Sequence, residues 1–143
     1  MRISVIGSGS WGTVLSQILN DNGHDVLLWS RTAAKAEAMA ASHCNADYLP
    51  NLKLASTITI SNDLALAVKR AQVLVFVVPS KAMSEVAAQV ANISACEDKV
   101  LLSCTKGIEP IHCQTMSKIL SAILPMAKAL AVMSGPNLSG EIA

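Results

Sequence analysis

The sequence predicts an α/β fold, a doubly wound and mainly parallel six-stranded sheet with helices on both faces. Three observations carry that prediction. Short apolar strand patterns alternate with helical patterns along the whole chain. One strand, Val73 to Val78, is apolar without interruption, as expected where helices cover both faces of a parallel sheet. Three glycines, Gly7, Gly9 and Gly12, stand between the first strand and the first helix, where such folds place a tight crossover turn.

Each element has its own signal. Arg2 to Ile6 is strand one, stopped by glycine. Trp11, Val14, Leu15, Ile18 and Leu19 follow the i, i+3, i+4, i+7, i+8 pattern of an amphipathic helix, and Asn22-Gly23 ends it. Asp25 to Trp29 is strand two. Thr32 to about Ser42 is an alanine-rich helix, with Thr32 as its expected cap. A loop carries Asn45, Asp47, Pro50 and Asn51. The β-branched run Thr57 to Ile60 is strand three, and Asp63 to Val68 a short helix. Val73 to Val78 is strand four, stopped by Pro79, and Met83, Val86, Ala87 and Val90 share one helical face. Val100 to Ser103 is strand five. Met116, Ile119, Leu120, Ile123 and Leu124 form another helical face, and Ala129 to Met133 is strand six. The expected strand order is 3-2-1-4-5-6.

Composition removes several classes of function. The chain has 143 residues, the size of one domain spanning residues 1–143. Apolar residues make up 52% and charged residues 15%, which excludes an intrinsically disordered chain. A net charge of +1 and an aromatic content of 3% leave no basis for nucleic-acid binding. No apolar run approaches the about 20 residues of a membrane-spanning helix. No secretory leader is legible, because the first apolar stretch breaks at Gly7. Cys44, Cys96, Cys104 and Cys113 lack zinc spacing and read as buried or half-buried thiols of a reducing cytoplasm. His24, His43 and His112 have no metal spacing and read as surface or structural residues, so no metal site is expected.

In doubly wound sheets, ligands bind at the carboxyl ends of the strands, so the residues after each strand are the candidates. After strand one, Gly7-Ser8-Gly9-Ser10-Trp11-Gly12 has the G-x-G-x-x-G spacing. Gly7 can turn the chain, Gly9 admits a pyrophosphate, and Gly12 lets helix and strand pack closely. The other reading is a glycine-rich turn without ligand. After strand two, NAD binders usually carry an acid for the ribose 2′-hydroxyl. Here stand Trp29-Ser30-Arg31-Thr32, and Asp25 opens the strand roughly 15 Å away. Ser30 and Arg31 suit a 2′-phosphate, so NADP is expected over NAD, unless Arg31 is only a solvated charge. Trp29 either flanks the adenine or serves packing.

After strand four, Pro79 and Ser80 either pass under the nicotinamide ribose or simply start the next helix. After strand five, Lys106 beside Gly107 stands where a lysine can bind a substrate phosphate or polarise a carbonyl. After strand six comes the polar segment Ser134-Gly135-Pro136-Asn137-Leu138-Ser139-Gly140-Glu141, again at the ligand edge.

Five pieces then stand in order: Gly7-Ser8-Gly9-Ser10-Trp11-Gly12-Thr13, Asn45-Ala46-Asp47-Tyr48-Leu49-Pro50, Val78-Pro79-Ser80, Thr105-Lys106-Gly107-Ile108-Glu109 and Ser134-Gly135-Pro136. With them the chain resembles the NAD(P)-dependent glycerol-3-phosphate dehydrogenases of bacterial type, over nearly its whole length. The resemblance implies hydride transfer between NAD(P)H and dihydroxyacetone phosphate, giving sn-glycerol 3-phosphate for phospholipid synthesis. It implies that Ser10, Trp11, Arg31 and Ser139 contact the cofactor, that Lys106 touches cofactor and substrate, and that Gly135 and Asn137 touch the substrate. The family usually has Ser or Thr at Asn137, Phe at Leu138 and Ala at Ser139.

Members of the family also carry a second, helical domain with the main catalytic lysine and most phosphate ligands. The resemblance therefore implies an N-terminal cofactor domain, inactive alone and homodimeric as the full-length enzyme. The alternatives are another NADP-dependent reductase, such as a ketopantoate reductase, and a non-catalytic NAD(P)-binding module.

Overall fold

A computed structural model describes residues 1–135 and 138–142. The expected alternation is present. Strand β1 (Arg2–Ile6) runs into helix α1 (Ser10–Asp21), followed by β2 (Asp25–Trp29) and α2 (Ala33–Ser42). Two short strands follow, β3 (Cys44–Asn45) and β4 (Leu49–Lys53), then β5 (Thr59–Ser61), α3 (Leu64–Arg70) and β6 (Val73–Phe76). A 3₁₀ turn at Ser80–Ala82 leads into α4 (Met83–Ile93) and β7 (Val100–Ser103). The chain continues through β8 (Ile108–Glu109), β9 (Gln114–Thr115), α5 (Met116–Ile123), β10 (Ala129–Val132) and α6 (Ser139–Ile142).

Six strands form one sheet in the order β10-β7-β6-β1-β2-β5. Every pairing in it is parallel. Counted along the chain, this is the expected 3-2-1-4-5-6 order, with β1 at the centre and the direction of winding reversing beside it.

Side chains alternate across the sheet and fill two cores. On one face Ile6, Leu27, Leu74, Phe76 and Leu101 pack with Val68 of α3, Met83 and Val90 of α4, and Ile119 and Leu120 of α5. On the other face Ile3, Val5, Val26, Leu28 and Val75 pack with Leu15 of α1, Met39 of α2, Leu54 and Ile58. Ser4, between Ile3 and Val5 in β1, is buried on the first face instead, where its hydroxyl donates to the Ala67 carbonyl of α3 at 2.7 Å. A core on each face explains the uninterrupted apolar strands.

The structure departs from the expected elements in several places. Residues 44–53, expected as a loop, contain the antiparallel β3–β4 hairpin. A second hairpin, β8–β9, follows β7. Strand three is shifted to Thr59–Ser61, and strands four and six end early, at Phe76 and Val132. Thr32 precedes α2 without a side-chain cap bond, whereas Asp63 caps α3 by accepting from the Leu66 amide at 2.9 Å. His112 belongs to the β8–β9 turn, where its ring and backbone amide meet the Glu109 carboxylate. Cys96 and Cys104 are buried and Cys44 half-buried as expected, but Cys113 is exposed.

Candidate functional site

The site forms at the carboxyl ends of β1, β2, β6 and β7. Gly7 leaves β1 with φ +126°, and its amide donates to the Trp29 carbonyl at 3.1 Å. A side chain there would collide with the Val77 carbonyl. A side chain at Gly12 would strike the carbonyl of Gly7 itself. These two glycines therefore allow α1 to start directly against the strand. Around Gly9, in contrast, a Cβ would meet nothing within 4 Å, so the loop is open on that side.

Helix α1 begins at this opening. Its N-cap is Gly9, with no side-chain cap bond and no acidic residue in the first turn. The amino end of the helix thus keeps its positive dipole uncompensated and aimed at the opening, a ready anion site.

Two clefts meet here. The first, of about 230 Å³, runs between the glycine loop, the end of β2 and the segment after β6. Gly7, Gly9, Ser30, Arg31 and Pro79 line it. The second, of about 250 Å³, lies between the first turn of α1 and the end of β7. Gly9, Ser10, Trp11, Gly12, Pro79, Lys106 and Ser139 line it. Gly9, Val77, Val78, Pro79 and Tyr48 border both. Every residue expected to touch a cofactor thus borders one cleft or both.

The walls are chemically uneven. Ser30 is buried, and its hydroxyl accepts from Ser8 Oγ at 2.8 Å, so it fixes the glycine loop while keeping its own proton to donate. Arg31 is exposed at the cleft rim, and Asp25 lies at the far end of β2, paired with Arg70. No carboxylate lines the first cleft among the described residues. Trp29 is 4% exposed and Trp29 Nε1 donates to the Asn62 carbonyl at 3.0 Å, so this ring is chiefly packing, with one edge in the cleft. Val77, whose amide still donates to the Ile6 carbonyl of β1 at 2.9 Å, and Val78 follow β6 and form the apolar floor. Pro79 caps the 3₁₀ turn, and its carbonyl accepts from the Ala82 amide at 2.8 Å, so Ser80 opens that turn and not an α-helix.

Lys106 stands at the second cleft beside Gly107, whose φ is +88°. Next to it, burial pushes the Cys104 thiol up to about 11, which keeps it a neutral SH and no nucleophile near neutral pH. Of the residues expected at the substrate, Gly135 is exposed in the segment after β10, and Asn137 lies outside the described residues. Among the described residues no three His, Cys, Asp or Glu side chains stand together as a metal site would need. No described helix is long and apolar enough to cross a membrane.

Three side chains of the β3–β4 region and α2 were not singled out from the sequence as site residues. Tyr48 borders both clefts. Lys35 Nζ sits 4.1 Å from the centre of its ring and 3.2 Å from Asp47 Oδ2, which holds the aromatic ring at the cleft mouth. Asn45 lies behind the glycine loop, fully buried. The sequence signal was the block of residues 45–50, which carried resemblance but no role.

The sequence profile for the N-terminus of NAD-dependent glycerol-3-phosphate dehydrogenase matches residues 2–143. The chain is 37% identical over 145 residues to glycerol-3-phosphate dehydrogenase [NAD(P)+] of Leuconostoc mesenteroides, covering 99% of this chain and 43% of that one. It is 38% identical over 143 residues to the enzyme of the same name from Corynebacterium aurimucosum, again covering 99% of this chain and 43% of that one. The crystal structure of glycerol-3-phosphate dehydrogenase from Coxiella burnetii superposes with a TM-score of 0.89 at 30% identity, over 99% of this chain and 42% of that one. The chain therefore spans less than half the length of these relatives. A match over nearly every residue, in sequence and in fold, places this chain in the family of the NAD-dependent glycerol-3-phosphate dehydrogenase N-terminus.

Proposed function

We propose that this chain is the cofactor-binding unit of a glycerol-3-phosphate dehydrogenase. It holds NADP(H) in preference to NAD(H) while dihydroxyacetone phosphate is reduced to sn-glycerol 3-phosphate. The observation that carries this reading is the meeting of two clefts at the uncapped amino end of α1.

The residues present fit a dinucleotide. The open side of Gly9 and the first amides of α1, at Ser10, Trp11 and Gly12, suit a pyrophosphate. Ser30 and Arg31, with no carboxylate beside them among the described residues, suit a 2′-phosphate. The apolar floor of Val77, Val78 and Pro79 excludes water under the nicotinamide side, and Lys106 and Ser139 close the second cleft. The bound nicotinamide supplies or accepts the hydride.

Reduction of a ketone builds negative charge on its oxygen, which a cation or a positioned acid must stabilise. Lys106 is the cationic side chain at the second cleft among the described residues, and we assign it to substrate binding, together with Gly135 and Asn137. In this reading the main acid and most phosphate ligands lie outside these 143 residues, and the chain alone does not turn over. The longer protein is a cytoplasmic homodimer whose product feeds glycerophospholipid synthesis.

The test is a titration of the chain with NADPH and then NADH, read by tryptophan fluorescence, since Trp11 and Trp29 both border the clefts. Saturable quenching, tighter for NADPH, is expected. Equal affinities would remove the 2′-phosphate assignment, and no binding by a folded chain would remove the cofactor reading.

A further inference from the structure

We infer that Asn45, acting with Thr13, is a positioning residue for phosphate recognition. The pair turns two carbonyls of the glycine loop inward and so aims the two following amides at the clefts. The inference rests on the reading of those clefts as a dinucleotide site.

Asn45 comes from β3, far from the loop in sequence, and is fully buried. Its Nδ2 group donates twice, to the Ser8 carbonyl at 2.9 Å and to Thr13 Oγ1 at 2.7 Å. Thr13 Oγ1 in turn donates to the Gly9 carbonyl at 2.8 Å, and the Thr13 amide donates to the same oxygen at 3.0 Å. The carbonyls of Ser8 and Gly9 are therefore both held from the protein side.

The peptide bond transmits this orientation. In a trans peptide, the C=O and the next N–H point in opposite directions. The chain has no cis peptide bond among its described residues. Holding the Ser8 oxygen inward turns the Gly9 N–H outward, and holding the Gly9 oxygen along α1 turns the Ser10 N–H out of the helix end. Both residues line the second cleft, and Gly9 lines the first as well. The loop thus presents two oriented backbone donors to an anion. Such preset dipoles need no reorganisation when the ligand arrives.

The remaining atom of Asn45 supports the assignment. Its Oδ1 is buried without a hydrogen-bond partner among the described residues. Turning the amide over would set Oδ1 against the Ser8 carbonyl, one acceptor facing another, and leave both Nδ2 protons without an acceptor. The position therefore uses asparagine as a double donor and tolerates an unmatched acceptor. Aspartate has the same shape but only acceptors, so Asn45→Asp removes the function while keeping the volume.

The experiment uses the 143-residue chain, isotope-labelled, with NADPH as the probe. In the native chain, NADPH is expected to move the Gly9 and Ser10 amide protons downfield. In Asn45→Asp, NADPH affinity is expected to fall by about tenfold or more, the effect of losing donors to a charged group. The Gly9 and Ser10 shifts are expected to shrink even at saturation, while the dispersed core resonances persist. If Asn45→Asp does not fold, Thr13→Val and Thr13→Ser decide, since the first lacks the hydroxyl and the second restores it. Thr13→Val should weaken NADPH binding and diminish the two amide shifts, and Thr13→Ser should recover both. Native-like affinity and amide shifts in the folded variants would overturn the inference but keep the cofactor reading. So would NADPH binding that leaves the native Gly9 and Ser10 amides unmoved. Failure of the native chain to bind NADPH would remove the cofactor reading and this inference together.

Discussion

The two ends of the central sheet treat polar groups in opposite ways. At the amino ends of the strands, the last carbonyls of α3 meet cations of the chain itself. Arg2 Nε donates to the Arg70 carbonyl at 2.9 Å, and Lys99 Nζ, nearly buried, donates to the Ala71 carbonyl at 3.0 Å. Asp25 pairs with the Arg70 guanidinium, and Gln72 accepts from the Arg2 amide at 2.9 Å. At the carboxyl ends, α1 starts without a side-chain cap or a first-turn acid, and Arg31 is exposed. One edge answers its own helix dipole; the other leaves a dipole for a ligand to answer. The difference teaches that the functional edge is recognised by which polar groups the fold declines to neutralise.

The largest expected effect comes from closing the functional edge. Gly12→Ala places a methyl on the Gly7 carbonyl, which forces α1 off β1. It should destabilise the chain by about 2–3 kcal/mol and abolish saturable NADPH quenching, as measured by urea unfolding and fluorescence titration. Binding at native affinity would show that the close approach is not needed.

Next comes a change that spares the fold. Arg31→Ala should weaken NADPH by about tenfold or more and leave NADH unchanged, because only the former carries a 2′-phosphate. Equal losses for both would make Arg31 a general anchor and blunt the contrast.

The opposite edge should behave in reverse. Lys99→Met leaves the Ala71 carbonyl buried without its donor and should cost about 1–3 kcal/mol of stability. It should not alter NADPH affinity. A parallel loss of affinity would mean that the two edges are coupled through the sheet.

The smallest effect is a pH dependence. The Arg70 guanidinium holds the Asp25 carboxyl below its ordinary value of 3.8. The stabilisation from that pair is therefore fully present above about pH 4 and is lost as pH falls through the lowered value. Because Asp25 is largely exposed, Asp25→Asn should cost less than about 1 kcal/mol at pH 7. Urea midpoints of the variant and native chain should converge in acid, and a gap that persists there would assign the effect to something other than the ion pair.

The sequence made the sheet legible and the hairpins not. Strands such as Val73–Phe76 advertise themselves by apolar runs, and their order followed from the doubly wound dinucleotide fold that the alternation suggested. The run was read two residues too long: Val77 and Val78 lie beyond the strand, where they floor the cleft while still packing against the two cores. Strands of two residues, Cys44–Asn45 or Ile108–Glu109, are too short to show any alternation. Glu109 instead organises its turn through its carboxylate, which accepts from the Ile111 and His112 amides at 2.8 and 2.7 Å.

In the site, a general rule placed Gly7, Arg31, Pro79 and Lys106 together, because ligands gather where strands end. Asn45 escaped that rule. It reaches the glycine loop from a different strand, and a buried amide leaves no trace in hydropathy.

The hydroxyl bond between Ser8 and Ser30 has a consequence for how this site can change over time. It ties the glycine loop to the end of β2 through two small side chains, while the charge at the rim sits one residue further on, at Arg31. Shape and charge are thereby stored at separate positions. A single substitution at residue 31 can rewrite the charge of the rim and leave the glycine loop untouched. On the proposed reading of Arg31, cofactor preference is a trait open to selection, or to a protein engineer, one residue at a time.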